Sequence, residues 1–219
     1  ILNIGFENLK VKILKKNKNN LISKVINSGY LESNKGIHLE NRKINLNYLT
    51  NKDLKAIEIG RENNISNYAL SFTNGVKDVK YFNKLTHYNP NNIFKIETKK
   101  SVNEFKKIIQ NANHFLIDRG DLSKDISIIK IPEIQRKLIN IKNKYKNKKI
   151  YVATNLFESM ILNNYPTRAE ANDIYSTIEM GADGLVLAAE TAIGKYPIEC
   201  VEFVKSMIGR FNKSTNWNL

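Results

Sequence analysis

Residues 92–122 read NIFKIETKKSVNEFKKIIQNANHFLIDRGDL, and this stretch predicts a strand, a helix and a second strand in that order. The strands are expected at Ile93–Glu97 and His114–Asp118, because each is a short apolar run closed by a charged residue. Between them, Ser101-Val-Asn-Glu104 has the spacing of a capping box and predicts the start of the helix. A unit of this length implies parallel strands joined by a right-handed crossover.

The same alternation extends along the chain in both directions from this unit. Further strands are expected near residues 67–72, 150–154 and 184–188. Capping residues, glycine or proline mark the starts of the other helices at Thr50, Gly75, Pro132, Thr167 and Pro197. The pattern predicts an α/β fold with a parallel sheet, and it fits both part of a (β/α) barrel and a doubly wound sheet. In either fold, ligands bind at the C-terminal ends of the strands.

The first 40 residues follow a different pattern. Leu9, Val11 and Ile13 alternate with lysines, and asparagine- and glycine-containing turns follow, so a small β piece is expected here. The chain begins at Ile1 with no methionine near it, which predicts a mature, trimmed or incomplete product.

Composition bounds the class of protein. Hydrophobic residues make up 42% of the 219 residues, which argues against global disorder. The net charge of +14 is almost all lysine, mixed with asparagine and isoleucine throughout, and few aromatic residues stand near the densest run, Lys142–Lys149. We interpret that run as a solvated helix face and treat nucleic-acid binding as a minor alternative. The single cysteine, Cys200, is predicted to be a core residue, and because one cysteine allows no disulfide within the chain, it suits a reducing cytoplasm. No apolar run is long enough to span a membrane, and no signal peptide is visible.

Charged residues close two neighbouring strands of the predicted sheet. Lys95 and Glu97 stand two apart, so their side chains share one face of a strand that is otherwise apolar. They could form a simple ion pair at the strand exit, or a functional site with a cation and a metal ligand. Asp118-Arg-Gly-Asp121 ends the next strand, and its carboxylates are expected to lie beside Glu97. Two carboxylates on neighbouring strands suit Mg²⁺.

Two more residues are expected at the same end of the sheet. Gly120 lets the backbone come close to a ligand, and its amide can meet a carboxylate or phosphate. Thr154 closes the next strand and directs a hydroxyl to the same place. Each residue taken singly is more often structural, but their shared position predicts a site.

Several short motifs follow one another in order along the chain. They are Phe94-Lys-Ile-Glu97, Arg119-Gly-Asp-Leu122, Ala153-Thr154 with Glu158-Ser-Met160, Pro166-Thr-Arg-Ala-Glu170, Gly181-Ala-Asp183 and Glu190-Thr-Ala192. In their order and spacing, these motifs make the chain resemble pyruvate kinase. Upstream, Gly29-Tyr-Leu31 and Lys35-Gly-Ile-His-Leu39 resemble the closing strands of that family's lid domain. The resemblance covers nearly the whole chain and implies a partial TIM (β/α)8-type barrel at 44–219, with a partial β lid segment at 1–43.

The resemblance also implies a role for each site residue. Lys95 would stabilise the phosphoryl group passing between phosphoenolpyruvate and ADP, which yields pyruvate and ATP. Glu97 and Asp121 would hold Mg²⁺ or Mn²⁺. The amides of Gly120 and Asp121 would meet the substrate carboxylate, and Thr154 would lie near the face where the enolate is protonated. The family further implies a homo-oligomer without membrane contact.

The chain also departs from the family's pattern. The family's first three barrel strands, the first part of its lid and its C-terminal domain have no counterpart here, so the expected ligands of K⁺ are absent from this chain. Asp118 stands where the family has a small residue beside the substrate carboxylate, and it would repel an anion unless it is protonated, paired or turned away. Five strands would also leave two sheet edges without a strand partner.

Four functions therefore stay open. The first is a pyruvate-kinase-type phosphotransferase, as a fragment or a diverged member of the family. The second is a magnesium-dependent lyase or aldolase acting on a pyruvate enolate, which would need Glu97 and Asp121 but no nucleotide site. The third is a catalytically inactive structural relative, and the fourth is a basic nucleic-acid-binding module.

Overall fold

The computed structural model describes residues 1–5, 9–33, 35–40 and 47–214. The chain divides into two compact units, Ile1–Asn47 and Tyr48–Leu219. The domain boundary predicted between residues 43 and 44 lies outside the described residues.

The first unit is a four-stranded antiparallel sheet, which confirms the predicted β piece. Its strands are β1 (Leu2–Ile4), β2 (Leu9–Lys16), β3 (Leu21–Asn27) and β4 (Ile37–Leu39), in the spatial order β3-β2-β1-β4. Leu9 and Val11 are buried on one face of β2, while the lysines between and after them are less buried. The period of two that was visible in the sequence therefore separates the two faces at Leu9 and Val11, but not at Ile13, which is 36% exposed.

The second unit alternates short strands and helices. The strands are β5 (Ala69–Leu70), β6 (Ile93–Ile96), β7 (His114–Asp118), β8 (Lys149–Ala153) and β9 (Gly184–Val186). The helices are α1 (Asn51–Glu62), α2 (Val76–Leu85), α3 (Lys99–Ile108), α4 (Arg119–Asp125), α5 (Ile131–Lys142), α6 (Arg168–Glu179), α7 (Ala189–Ala192) and α8 (Pro197–Ser214). Short 3₁₀ segments lie at Ile128–Lys130 and Glu158–Ile161.

The order of the strands identifies the architecture. All neighbouring pairs are parallel, and the sheet runs β5-β6-β7-β8-β9 in chain order. A doubly wound sheet reverses its strand order at a switch point, whereas a barrel keeps the order of the chain. The sheet is therefore of the (β/α)-barrel type, as predicted, and within the described residues it stays open at β5 and β9.

Alternate side chains of the central strands pack beneath the helices. Phe94 and Ile96 of β6 are at most 1% exposed and belong to the main apolar cluster of this unit. In the same cluster Phe105 of α3 meets the ring of Phe115 on β7 edge to face, with centroids 5.2 Å apart. Since successive strand residues point to opposite faces, this packing turns Lys95 toward the face away from the helices.

Helix starts follow the predicted caps with one exception. Thr50 and Thr167 each cap a helix through a reciprocal capping box, with Asp53 and Glu170 as the third helical residues. The capping box predicted at Ser101–Glu104 is wrong. Strand β6 ends at Ile96, and α3 begins three residues later at Lys99. Thr98 is its cap, and Ser101 is the reciprocal partner of that cap.

The lysine-rich run 142–149 is not the simple solvated face that we predicted. Lys142 is 6% exposed, and its ammonium binds the carboxylate of Asp183 at 2.5 Å and the carbonyl oxygen of Gly181 at 2.8 Å. Lys148 donates to the carbonyl oxygen of Ala112 at 2.7 Å. At least two of these lysines therefore hold loops near the strand starts. Within the described residues, no helix has both the length and the apolar character needed to cross a membrane.

Candidate active site

The C-terminal ends of three adjacent strands carry the candidate site. Lys95 lies in β6 and Glu97 directly after it, Asp118 closes β7, and Thr154 follows the last residue of β8. Ile96 pairs with Ile117, and Asp118 pairs with Ala153, so the three strand ends are level. Parallel pairing in this register brings residues that are up to 59 positions apart in the chain to one edge of the sheet.

A buried ion cluster lies at the centre of this edge. The ammonium nitrogen of Lys95 is 2.6 Å from Oε1 of Glu97 and 3.1 Å from Oδ2 of Asp118. The side chain of Glu97 is fully buried and that of Asp118 is 10% exposed, whereas that of Lys95 is 22% exposed. The second carboxylate oxygen of Glu97 accepts a hydrogen bond from the amide of Phe72 at 2.5 Å. The sequence left two hypotheses for Lys95 and Glu97, a simple ion pair or part of a functional site. The geometry fits both.

Burial and charge act in opposite directions on these groups. Burial alone would lower the pKa of Lys95, but hydrogen bonds and charge attraction from Glu97 and Asp118 outweigh it and raise that pKa above its usual value. Burial raises the pKa of Glu97, against the opposing effects of the Lys95 ammonium and the Phe72 amide. Lys95 is consequently a firmly charged cation, while the buried charge of Glu97 depends on the cations near it.

Three carboxylates of this cluster have the arrangement of a cation site. One oxygen each from Glu97, Asp118 and Asp121 lies within 4.8 Å of the other two. Ligand oxygens around Mg²⁺ stand about 2.1 Å from the ion and hence about 3 to 4 Å from one another, so a small contraction would let these groups share one ion. Asp121 also pairs with Lys124 at 2.8 Å. The donor set, all hard oxygen, fits Mg²⁺ or Mn²⁺.

A second hydrogen-bond network joins β7 to β8. The amide of Gly120 donates to Oγ1 of Thr154 at 2.7 Å. This hydroxyl has two acceptors within reach, the carbonyl oxygen of Ala153 at 2.6 Å and Oδ1 of Asp118 at 3.2 Å. The amide of Asp121 donates to the same Asp118 oxygen at 3.3 Å. A Cβ atom added to Gly120 would lie 3.4 Å from Oγ1 of Thr154 and 3.6 Å from Oδ1 of Asp118. Because glycine has no side chain, its backbone lies close to this network with no atoms between them.

Thr154 has a strained backbone that an arginine holds in place. Its φ is 69° and that of Asn155 is 53°, the left-handed region that β-branched residues avoid. The guanidinium of Arg119 donates to the carbonyl oxygen of Thr154 at 2.7 and 3.0 Å and to that of Asn155 at 2.9 Å. Its remaining nitrogen binds Asp173 of α6 at 2.5 Å. Arg119 thus fixes the turn that presents the Thr154 hydroxyl.

The structure brings together all five residues that the sequence predicted, namely Lys95, Glu97, Gly120, Asp121 and Thr154. Sequence reasoning placed Asp118 beside Glu97 but did not identify Lys95 and Thr154 as its partners, and it missed the contacts of Arg119. Lys124, three residues after Asp121 on one helix, had the spacing of an ion pair and could have been found. The partners of Asp118 and Arg119 lie on other strands and helices, so no local pattern announces them.

Two further residues lie at the edges of this region. Phe72 follows the end of β5, and its amide donates to Glu97. Cys200 is fully buried in a second apolar cluster, and burial raises the pKa of its thiol. This is the position of a core residue, as predicted.

Comparison with known proteins gives one consistent family. The family described as "Pyruvate kinase, barrel domain" matches residues 1–201. Pyruvate kinase of Bacillus licheniformis is 33% identical over 99% of this chain, that of Thermotoga maritima 34% over 82%, and that of Methanocaldococcus jannaschii 34% over 91%. The chain spans 37%, 39% and 45% of the lengths of these three relatives. The family match covers both the β segment and the strand ends that carry the ion cluster, and the chain therefore belongs to the pyruvate kinase family.

Proposed function

We propose that this chain forms part of a pyruvate-kinase-type active site, which transfers a phosphoryl group between phosphoenolpyruvate and ADP. The observation that supports it most is the meeting of Lys95, Glu97 and Asp121 at adjacent strand ends. Phosphoryl transfer depends mainly on positioning and on charge stabilisation, and this cluster provides a fixed cation beside carboxylates suited to a divalent ion.

Each residue of the cluster has a task in this reaction. The Lys95 ammonium offers positive charge to the oxygens of the phosphoryl group in flight. Glu97 and Asp121 hold Mg²⁺ or Mn²⁺, which when bound neutralises negative charge on the substrate oxygens. Thr154 offers a hydroxyl at the strand end, where it can hold a proton close to the methyl carbon of pyruvate. The amide of Gly120 orients this hydroxyl through its 2.7 Å hydrogen bond.

Two assays run side by side test the proposal. One is a coupled assay for ATP formation from phosphoenolpyruvate and ADP, and the other follows deuterium exchange into the methyl group of pyruvate with Mg²⁺. Lys95→Met should abolish phosphoryl transfer and leave part of the exchange, because exchange needs mainly the metal site and Thr154. Kinase activity retained in Lys95→Met would refute the role of Lys95.

The metal part of the proposal has its own test. Titration calorimetry with Mn²⁺ should show weak binding to the wild type, since most coordination positions are left to water and ligand. Asp121→Asn should bind more weakly, and Glu179→Gln, which removes one carboxylate on an exposed part of α6, should bind like the wild type. Equal binding by all three proteins would exclude the Asp121 site.

One observation favours a second candidate function, an inactive relative. Asp118 already binds Lys95, Thr154 and the amide of Asp121, which are the groups that we assign to the substrate. A wild-type chain with neither kinase nor exchange activity would support this candidate. Exchange without kinase activity would instead support the lyase or aldolase reading.

Association and location complete the proposal. We propose a homo-oligomer, supported by apolar side chains that are more than half exposed on α8, at Ile198 and Val201. Sedimentation should show self-association, and a monodisperse monomer would contradict it. A cytoplasmic location is supported by the single cysteine, Cys200, which is a free thiol.

A further inference from the structure

Asp118 is the acceptor on which the donors of the site converge. Oδ2 is 3.1 Å from the Lys95 ammonium, and Oδ1 accepts from the Asp121 amide at 3.3 Å. Oδ1 also lies 3.2 Å from the Thr154 hydroxyl, which has a second acceptor, the carbonyl oxygen of Ala153, at 2.6 Å. The residue is 7% exposed. These are an ammonium, a hydroxyl and an amide, the groups that bind carboxylate ligands in proteins. A carboxylate of the chain itself therefore occupies the position where these donors meet, with the carboxylates of Glu97 and Asp121 within 4.8 Å of it.

We propose that Asp118 is an internal competitor that determines which ligands enter this site. Its carboxylate takes the place of a ligand carboxylate, so an anionic ligand must displace it or meet its charge at close range. The cluster holds three carboxylates, Glu97, Asp118 and Asp121, against two ammonium groups, Lys95 and Lys124. A further anion added to this surplus of negative charge is repelled unless a divalent cation binds first.

The competing role differs from a purely structural one in a measurable way. Asp118 also caps α4 through the Asp121 amide. Serine and asparagine are both good caps, so Asp118→Ser and Asp118→Asn should keep the start of the helix. Serine is shorter and neutral, so it empties the carboxylate position, whereas asparagine fills it. A residue that only capped the helix would give both variants the same ligand binding as the wild type.

Acetate, a small carboxylate, is the probe for the emptied position. Thermal unfolding of the 219-residue chain is followed by circular dichroism in sodium acetate and in sodium chloride of equal ionic strength. Acetate at ten times its dissociation constant should raise the melting temperature of Asp118→Ser by about 3 to 6 °C. It should have no such effect on the wild type or on Asp118→Asn. An equal acetate effect on all three proteins, or none on a folded Asp118→Ser, overturns the proposal.

Pyruvate then tests the link to the proposed function, on which the choice of ligand rests. At Mn²⁺ concentrations that saturate both proteins, calorimetry should show that Asp118→Ser binds pyruvate about tenfold or more tightly than the wild type does. Acetate binding without pyruvate binding by Asp118→Ser would keep Asp118 as the competitor and count against a pyruvate substrate. Equal pyruvate affinity in both proteins would overturn the competing role and leave the proposed function to the exchange assay.

Discussion

Lys95→Met should destabilise the folded chain because it removes the cation from a buried acidic cluster. The ammonium lies 2.6 Å from Glu97 and 3.1 Å from Asp118, whose side chains are 0% and 10% exposed. Methionine has a similar length and fits the space, but it leaves both carboxylates without that charge. Breaking a buried ion pair from one side typically costs about 3 to 5 kcal/mol. Lys95 is itself 22% exposed, so water reaches the cluster, and we expect a loss of about 3 kcal/mol at pH 7.

Urea unfolding followed by circular dichroism measures this loss, with Lys55→Met as the matched control. Lys55 pairs with Glu58 at 2.8 Å, but both side chains are more than half exposed, so its removal should have little effect on the free energy of unfolding. The two lysines thus present ion pairs of similar length and different burial. If Lys95→Met lowers the free energy of unfolding by less than about 1 kcal/mol, the reasoning that burial makes this ion pair important for stability is refuted.

The pH dependence of the same variant gives a second test. Burial already raises the pKa of Glu97, and the Lys95 ammonium opposes this effect. Removing Lys95 should therefore raise the pKa of Glu97 further. A folded-state pKa above the unfolded value means that the folded chain binds more protons, so stability rises as the pH falls. The difference in the free energy of unfolding between the wild type and Lys95→Met should therefore shrink as the pH falls from 7 to about 4.3, the usual pKa of a glutamate. A deficit that grows over this range would contradict the assignment.

Three smaller predictions concern positions around the site. Arg119→Lys should lower the free energy of unfolding by about 1.5 to 3 kcal/mol, because lysine lacks the fork that holds the carbonyl oxygens of Thr154 and Asn155; an unchanged urea midpoint would contradict this. Thr167→Ala should cost about 1 kcal/mol in the same assay by removing the cap of α6, and Thr167→Ser should cost little. Burial, with the charge of Lys149, lowers the pKa of His114, so the unfolded chain binds more protons and stability should fall as the pH drops below about 6.5; His114→Gln should flatten this part of the profile.

The sequence alone was enough to locate the elements and the charged strand ends. Alternation within β6 separated Phe94 and Ile96 from Lys95 and Glu97, because strand residues take opposite faces in turn. Hydroxyl residues at Thr50 and Thr167 announced two helix starts, because a cap acts on backbone amides only three positions away. Strand alternation and helix caps depend only on residues that are close together in the chain, so the sequence shows them directly. The cap of α3 was misplaced because Thr98 and Ser101 both satisfy that local rule.

The tertiary structure decided the order of the strands and which side chains of the site contact one another. The alternation of elements by itself fits both a barrel-type sheet and a doubly wound one, and the observed strand order distinguishes them. Asp118 looked like an obstacle in the sequence, and the fold pairs it with a lysine 23 positions earlier and a threonine 36 positions later. Arg119 reaches Asp173 across 54 positions. Hydrogen bonds and ion pairs depend on distances of about 3 Å between atoms, and only parallel pairing of the strands sets those distances for residues so far apart in the chain.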